Sequence, residues 1–114
     1  MNNNRILLIG GNGFMMNSIK KELENTGFEI IHVNPTVTEL KKMEDKPNVY
    51  ILYIEEYDDM LELIVFLRDT VLEDNISLNV IGSHEDIGKL SSTIDKDKLT
   101  GVFERPVNVK ELAD

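Results

Sequence analysis

Val49-Tyr50-Ile51-Leu52-Tyr53-Ile54 is a run of six apolar and β-prone residues, stopped by the acids Glu55, Glu56, Asp58 and Asp59. Apolar and polar residues do not alternate within it, so neither face is built for water. That pattern fits an interior strand of a parallel sheet with helices on both sides. Ligands and chemistry in open α/β sheets gather at the carboxyl ends of such strands. The functional question is therefore what Tyr53 and its neighbours do at that edge.

Working outward, Arg5-Ile6-Leu7-Leu8-Ile9-Gly10 reads as a first strand buried on both faces, and Gly11-Asn12-Gly13 as a turn. Residues 14–25 form a helix whose Met15, Ile19 and Leu23 recur every four positions on one face, with Lys20, Lys21, Glu22 and Glu24 turned outward. Gly27 provides a left-handed cap, and residues 29–33 form a second strand. Asn34-Pro35 breaks it, and Thr36-Val37-Thr38-Glu39 has the capping-box spacing that opens a short helix to about residue 43. Residues 44–48 lead into the central strand. A third helix over about 59–72 starts among acids, as its dipole prefers. Residues 79–83 make a fourth strand and 85–94 a weaker helix, with Gly88, Ser91 and Ser92 lowering its propensity. Residues 95–98 form a loop, 101–104 a fifth strand, and a last helix starts at Val109. Five strands alternating with helices across short connections predict one domain, 1–114, with a doubly wound parallel sheet. The last helix is either simply short or truncated from a longer chain.

The totals narrow the function. At 114 residues the chain can bury roughly two-thirds of its unfolded surface in one core. Apolar residues at 41% and charged ones at 29% describe an ordinary globular domain. A formal charge of −9 argues against binding nucleic acid or an anionic membrane, since no basic stripe exists to neutralise phosphates. It is compatible with a basic partner surface. The absence of cysteine excludes disulfides, thiolate catalysis and Cys-ligated zinc, and two histidines, His32 and His84, do not make a His-rich metal site. The polar opening Met1-Asn2-Asn3-Asn4-Arg5 runs into a strand and not into a secretory or membrane-spanning segment, so a cytoplasmic setting is expected.

Two resemblances follow from the motifs. Ile9-Gly10-Gly11-Asn12-Gly13-Phe14, a helix, and then Gly27-Phe28-Glu29-Ile30-Ile31-His32-Val33-Asn34 is similar to the opening of short-chain dehydrogenases and sugar-nucleotide epimerases. In that pattern glycines admit a pyrophosphate to a helix N-terminus. The third glycine would fall at Met16, the ribose-binding carboxylate at Asn34, and the chain has no Tyr-x-x-x-Lys pair. This resemblance implies a nucleotide-binding domain using the turn from Gly10 to Gly13.

The second covers the whole chain. Its element order, the Pro47-Asn48 lead-in, Leu61-Glu62-Leu63-Ile64-Val65-Phe66-Leu67-Arg68, and the tail Gly101-Val102-Phe103-Glu104-Arg105-Pro106-Val107-Asn108-Val109-Lys110-Glu111-Leu112 resemble a response-regulator (CheY-like) receiver domain. The resemblance implies a flavodoxin-like, five-stranded parallel sheet of order 2-1-3-4-5. It also implies that the places of the family's acidic metal-binding pair are taken by Gly10 and Gly11, and that of its phospho-accepting Asp by Tyr53. Gly82 replaces the hydroxyl residue ending strand four, with Ser83 one place later, and Arg105 stands for the basic residue before a proline. The Arg105-Pro106 peptide is expected to be cis on the family's example. Val102 stands near the family's conformation-reporting aromatic.

Each substitution has a chemical consequence. Magnesium takes hard oxygen ligands, usually carboxylates, and glycine side chains offer none. A phenol with a reference pKa of about 10 is protonated at neutral pH and cannot form an acyl phosphate. Without the metal, nothing neutralises the phosphoryl oxygens in transfer. Moving the alignment by one places Ile54 at the acceptor position; moving it by two places Glu55 there, still without the paired acids.

Individual residues keep alternatives. Tyr53 either fills the phosphorylation pocket of the family or holds its hydroxyl in water. Arg105 either pairs with Glu55 or is solvated. Glu55, Glu56, Asp58 and Asp59 form either a metal cluster or, more simply, the solvated mouth of the sheet. Ser83 and His84 are adjacent on a strand end and point apart, which disfavours a nucleophile-base pair. In helix three, Met60, Ile64, Leu67 and Val71 make one apolar face, and Leu61, Val65 and Leu72 a second stripe that either widens the core contact or meets a partner. The expectation is a degenerate receiver domain, not an enzyme, with no cofactor or metal. It would act through a protein partner, an output domain or a second copy, by the face of helix four, strand five and the last helix.

Overall fold

A computed structural model of the chain describes residues 5–11, 13–43, 47–71 and 76–104. Five strands, β1 (Arg5–Ile9), β2 (Glu29–Val33), β3 (Val49–Tyr53), β4 (Ser77–Gly82) and β5 (Gly101–Glu104), form one parallel sheet in the order β2-β1-β3-β4-β5. The central position of the quoted apolar run follows: β3 pairs with β1 through Ile6↔Val49 to Ile9↔Leu52, and with β4 through Val49↔Ser77 to Tyr53↔Ile81.

Because side chains alternate across a strand, consecutive residues of β1 and β3 feed two different cores. Leu7, Ile9, Tyr50, Leu52 and Ile54 face one side with Leu78 and Val80. The helices α2 (Val37–Lys41), α3 (Leu61–Phe66) and α4 (His84–Leu90) cover that side through Leu40, Leu63, Ile64 and Leu90. Ile6, Leu8, Ile51, Tyr53 and Ile81 face the other side, under Met16, Ile19 and Leu23 of α1 (Phe14–Asn25). Burial of Tyr50 through Ile54 is complete on both faces, as the missing alternation requires.

Several local expectations hold. Gly27 has φ 110° directly after α1, and the Thr36 side chain accepts a hydrogen bond from the Glu39 amide at the start of α2 (3.2 Å). Others need correction. The inward face of α1 begins at Met16, not Met15, which is 38% exposed. At 100° per residue, Met16, Ile19 and Leu23 span an arc of about 60° and Met15, Ile19 and Leu23 one of about 80°; both fit one apolar face, and packing on the sheet selects Met16. Helix three is not continuous: a 3-10 turn, Tyr57–Met60, precedes α3, and a wider π turn, Leu67–Val71, follows it. Its second stripe does not pack as a face, since Leu61 is 44% exposed and Val65 is half-buried. Leu72 lies outside the described residues.

β4 runs over 77–82 and releases Ser83 to cap α4, which starts at His84 and ends at Leu90. The early end has a cause in the serines. Ser91 donates to the Gly88 carbonyl (2.7 Å) and Ser92 to that of Lys89 (2.6 Å), back-bonding that competes with further helix. A 3-10 turn, Lys96–Lys98, stands where a loop was expected, opened by the Asp95 carboxylate accepting from the Asp97 amide (3.1 Å). The expected last helix, the Arg105-Pro106 peptide and any Arg105–Glu55 pair lie outside the described residues. No helix among the described residues is long and apolar enough to cross a membrane.

Candidate functional site

The carboxyl edge of the sheet is where β1 delivers Gly10 and Gly11, β3 delivers Tyr53, and β4 delivers Gly82 and Ser83. Gly10 is held from β2: its N–H donates to the Val33 carbonyl (3.1 Å), and its carbonyl lies 2.9 Å from His32 Nε2. A carbonyl only accepts, so Nε2 carries the proton in that contact. The Cε methyl of Met16 occupies the place where a Gly10 side chain would begin, and the Tyr53 Cβ stands 3.2 Å from it. Tyr53 itself is 5% exposed and packs with Leu8, Met16, Ile19, Ile51 and Ile81. The bulk of its ring belongs to the core on the α1 side.

The neighbouring glycines differ from Gly10. A side chain on Gly11 would meet Glu55 Oε1 at 3.1 Å, so Glu55 leans over the second position of the turn. A Cβ on Gly82 would find Ile54 Cβ and Ile87 Cγ1 at 3.5 Å, ordinary contact with room for a small side chain. Ser83 and His84 are not brought together as nucleophile and base. The Ser83 hydroxyl accepts from the Asp86 amide as the helix cap (3.1 Å), while His84 Nδ1 contacts Glu104 Oε1 (2.6 Å) at the surface.

Two clefts open beside this edge. One of about 270 Å³ lies between Gly11, Pro35, Tyr53 and Met60 and the acids Glu55, Glu56 and Asp59. The other, of about 460 Å³, lies between the first turn of α1 and the glutamates Glu55 and Glu56. Among the described residues no three carboxylate or imidazole groups converge as metal ligands, and the four acids after β3 are all exposed. Asp58 pairs with Lys89 Nζ (3.5 Å), which also reaches Glu85 (3.9 Å). Asp58 holds the Lys89 ammonium above the ordinary lysine range.

The sequence reading missed a tether across this edge. Tyr57 is buried; its amide donates to Asp86 Oδ1 (3.3 Å), and its hydroxyl bonds the Thr93 hydroxyl. The segment after β3 is thereby fastened to both ends of α4. No local spacing announces this, because the partners are 29 and 36 positions away.

No family model matches the sequence, and no curated protein matches it. Solved structures do. The signal receiver domain of a signal transduction histidine kinase from Syntrophus aciditrophicus superposes with a TM-score of 0.73 at 17% identity, covering 96% of this chain and 84% of that one. A CheY-like response regulator receiver domain protein from Methanospirillum hungatei gives 0.68 at 23% identity, over 96% and 86%. An adenylate cyclase from Rhodopirellula baltica gives 0.69 at 17% identity, over 96% and 81%. The sheet order, the two helical layers and these superpositions agree: the chain has the flavodoxin-like α/β fold of response-regulator receiver domains.

Proposed function

We propose that this chain is a degenerate receiver domain of a signal-transduction response regulator, working through protein contact and not by accepting a phosphoryl group. The observation that carries the reading is the filling of the β1 edge: a thioether methyl stands where the first acid of a metal-binding pair would project, with Tyr53 packed against it. Metal binding there needs several hard oxygens, carboxylates above all; at the first position a methyl and an aromatic ring stand instead, and Glu55, leaning over Gly11, is the carboxylate that approaches the turn. Gly10, Gly11, Tyr53, Gly82 and Ser83 are thus the remains of a phosphorylation pocket in this reading. Arg105 and the peptide to Pro106 complete it on the family pattern alone.

The nucleotide-binding reading of the same turn has less support. Met16, at the third glycine position, is buried against Gly10, and Glu55 and Glu56 line the cleft that opens at Gly13. Two carboxylates beside that turn repel a pyrophosphate.

Partner contact through α4, β5 and the segment after it, with an output domain or a second copy, is part of the proposal; Val102 on β5 is 36% exposed there. Incubation with acetyl phosphate, or with beryllofluoride and magnesium, is expected to leave the protein's mass and its NMR spectrum unchanged. A stable mass gain, or shifts centred on Glu55, would revive a competent receiver. Saturable NAD or ATP binding in a calorimeter, lost in Gly13→Val, would favour the nucleotide reading.

A further inference from the structure

Phe14 is 85% exposed and Met15 38%, side by side on the first turn of α1, while the helix packs on the sheet through Met16, Ile19 and Leu23. Neither exposed residue serves the core. They form one wall of the cleft of about 460 Å³, Met16 and Tyr53 contribute to its lining, and Glu55 and Glu56 form the opposite side. Among the described residues no lysine or arginine lines it and neither glutamate is in an ion pair. The cleft is therefore apolar on one side and anionic on the other.

We propose that this cleft docks a protein segment carrying an apolar side chain beside lysine or arginine. The inference rests on the protein-contact reading above and adds to it a second surface, apart from the α4–β5 face, with the chemistry of what it takes. An apolar anchor covers Met15 and the cleft lining, and the cation meets Glu55 and Glu56 or lies over the open face of Phe14. A second copy does not suit the site, because it brings the same glutamates and another −9 of charge. An anionic lipid surface or a nucleic acid is repelled for the same reason.

The test is an NMR titration of the 15N-labelled chain with an amphipathic Lys/Leu helical peptide, and with a Glu/Leu peptide of equal length. Shifts are expected only with the cationic peptide, centred on residues 13–16 and 53–56. Phe14→Ser is expected to weaken binding about tenfold or more. The Glu55→Gln/Glu56→Gln variant should weaken it and flatten its salt dependence. Both variants change exposed side chains, so unchanged thermal unfolding shows that any loss is local. Shifts scattered over the acidic surface, or binding indifferent to Phe14→Ser, overturn the groove. Concentration-dependent dimerisation abolished by Phe14→Ser overturns it in favour of self-association. Phosphorylation by acetyl phosphate would instead defeat the phosphate-independent reading and leave the groove standing.

Discussion

The Met16 methyl fills the space in front of the Gly10 Cα, so the helix after the glycine turn reaches back and closes the edge of the strand before it. Helix α1 and strand β1 meet through this contact, and a side chain at position 10 would have to displace the flexible end of Met16 and press on the Tyr53 Cβ, 3.2 Å away. A side chain at position 10 and a methionine at position 16 compete for one volume.

Gly10→Ala is therefore expected to destabilise the domain by about 1 kcal/mol, the low end of the range for overpacking a core, since the end of Met16 can move aside and Tyr53 Cβ is the firmer neighbour. Met16→Ala alone should lose about 2–5 kcal/mol by leaving a cavity. The double variant should be more stable than the sum of the two losses implies, since each change makes room for the other. Urea midpoints of the four proteins measure this; strict additivity would show that Met16 does not occupy that space.

Gly82 is the contrasting glycine. Its nearest neighbours to an added Cβ stand at 3.5 Å, and its φ lies outside the left-handed region. Gly82→Ala is expected to be neutral or to stabilise by about 0.4–1 kcal/mol through the unfolded chain. A loss as large as that of Gly10→Ala in the same urea series would contradict the space seen at β4.

Placing a carboxylate acceptor at the end of β3 is expected to give no phosphorylation. Tyr53→Asp removes a large buried ring from among Met16, Ile19 and Ile81 and leaves a carboxylate beside apolar side chains. A loss of about 3–5 kcal/mol is expected from the ring alone. The variant should still take no phosphoryl group from acetyl phosphate with magnesium, because Gly10 and Gly11 add no metal ligand. Phosphorylated Tyr53→Asp, seen by mass, would mean that other groups on the edge, Glu55 first, hold the metal.

The fastening of the segment after β3 to α4 is separable by mutation. Tyr57→Phe keeps the buried ring and removes the hydroxyl that bonds Thr93, an expected loss of about 1 kcal/mol. Thr93→Val should lose a similar amount, and the pair should lose little more than either alone. Hydrogen exchange at residues 57–60 should quicken in both variants.

Charge at the same place gives a pH signature. Lys89 is raised by Asp58, so its contribution is full below the ordinary lysine range and fades as pH climbs through the raised value. Asp69 is lowered mainly by its hydrogen bond from Arg68, so its contribution is present above the ordinary aspartate range and fades as pH falls through the lowered value. These groups are exposed, and added salt should weaken both effects. In an NMR titration, Asp58→Asn is expected to return Lys89 toward the ordinary range; an unmoved Lys89 would exclude that pair.

Most of the framework was readable along the chain. The β2 boundaries, the cap at Gly27, the bond from the Glu39 amide to Thr36 and the double-sided burial of residues 50–54 depend on near neighbours or on a period of two. Element ends were less legible: α4 stops at Leu90 because Ser91 and Ser92 turn back on its carbonyls.

By itself the sequence determined the alternation of strands and helices, the glycines and phenol at the sheet's edge, and the acidity of its mouth. Those follow from residue chemistry and spacing, which act over a few positions. Only the tertiary structure decided that Met16 and not Met15 enters the core, leaving Phe14 and Met15 outside. It also decided that Tyr57 ties its segment to Asp86 and Thr93. Those choices are settled where distant segments compete for the same space or hydrogen bond, and no local period encodes that competition.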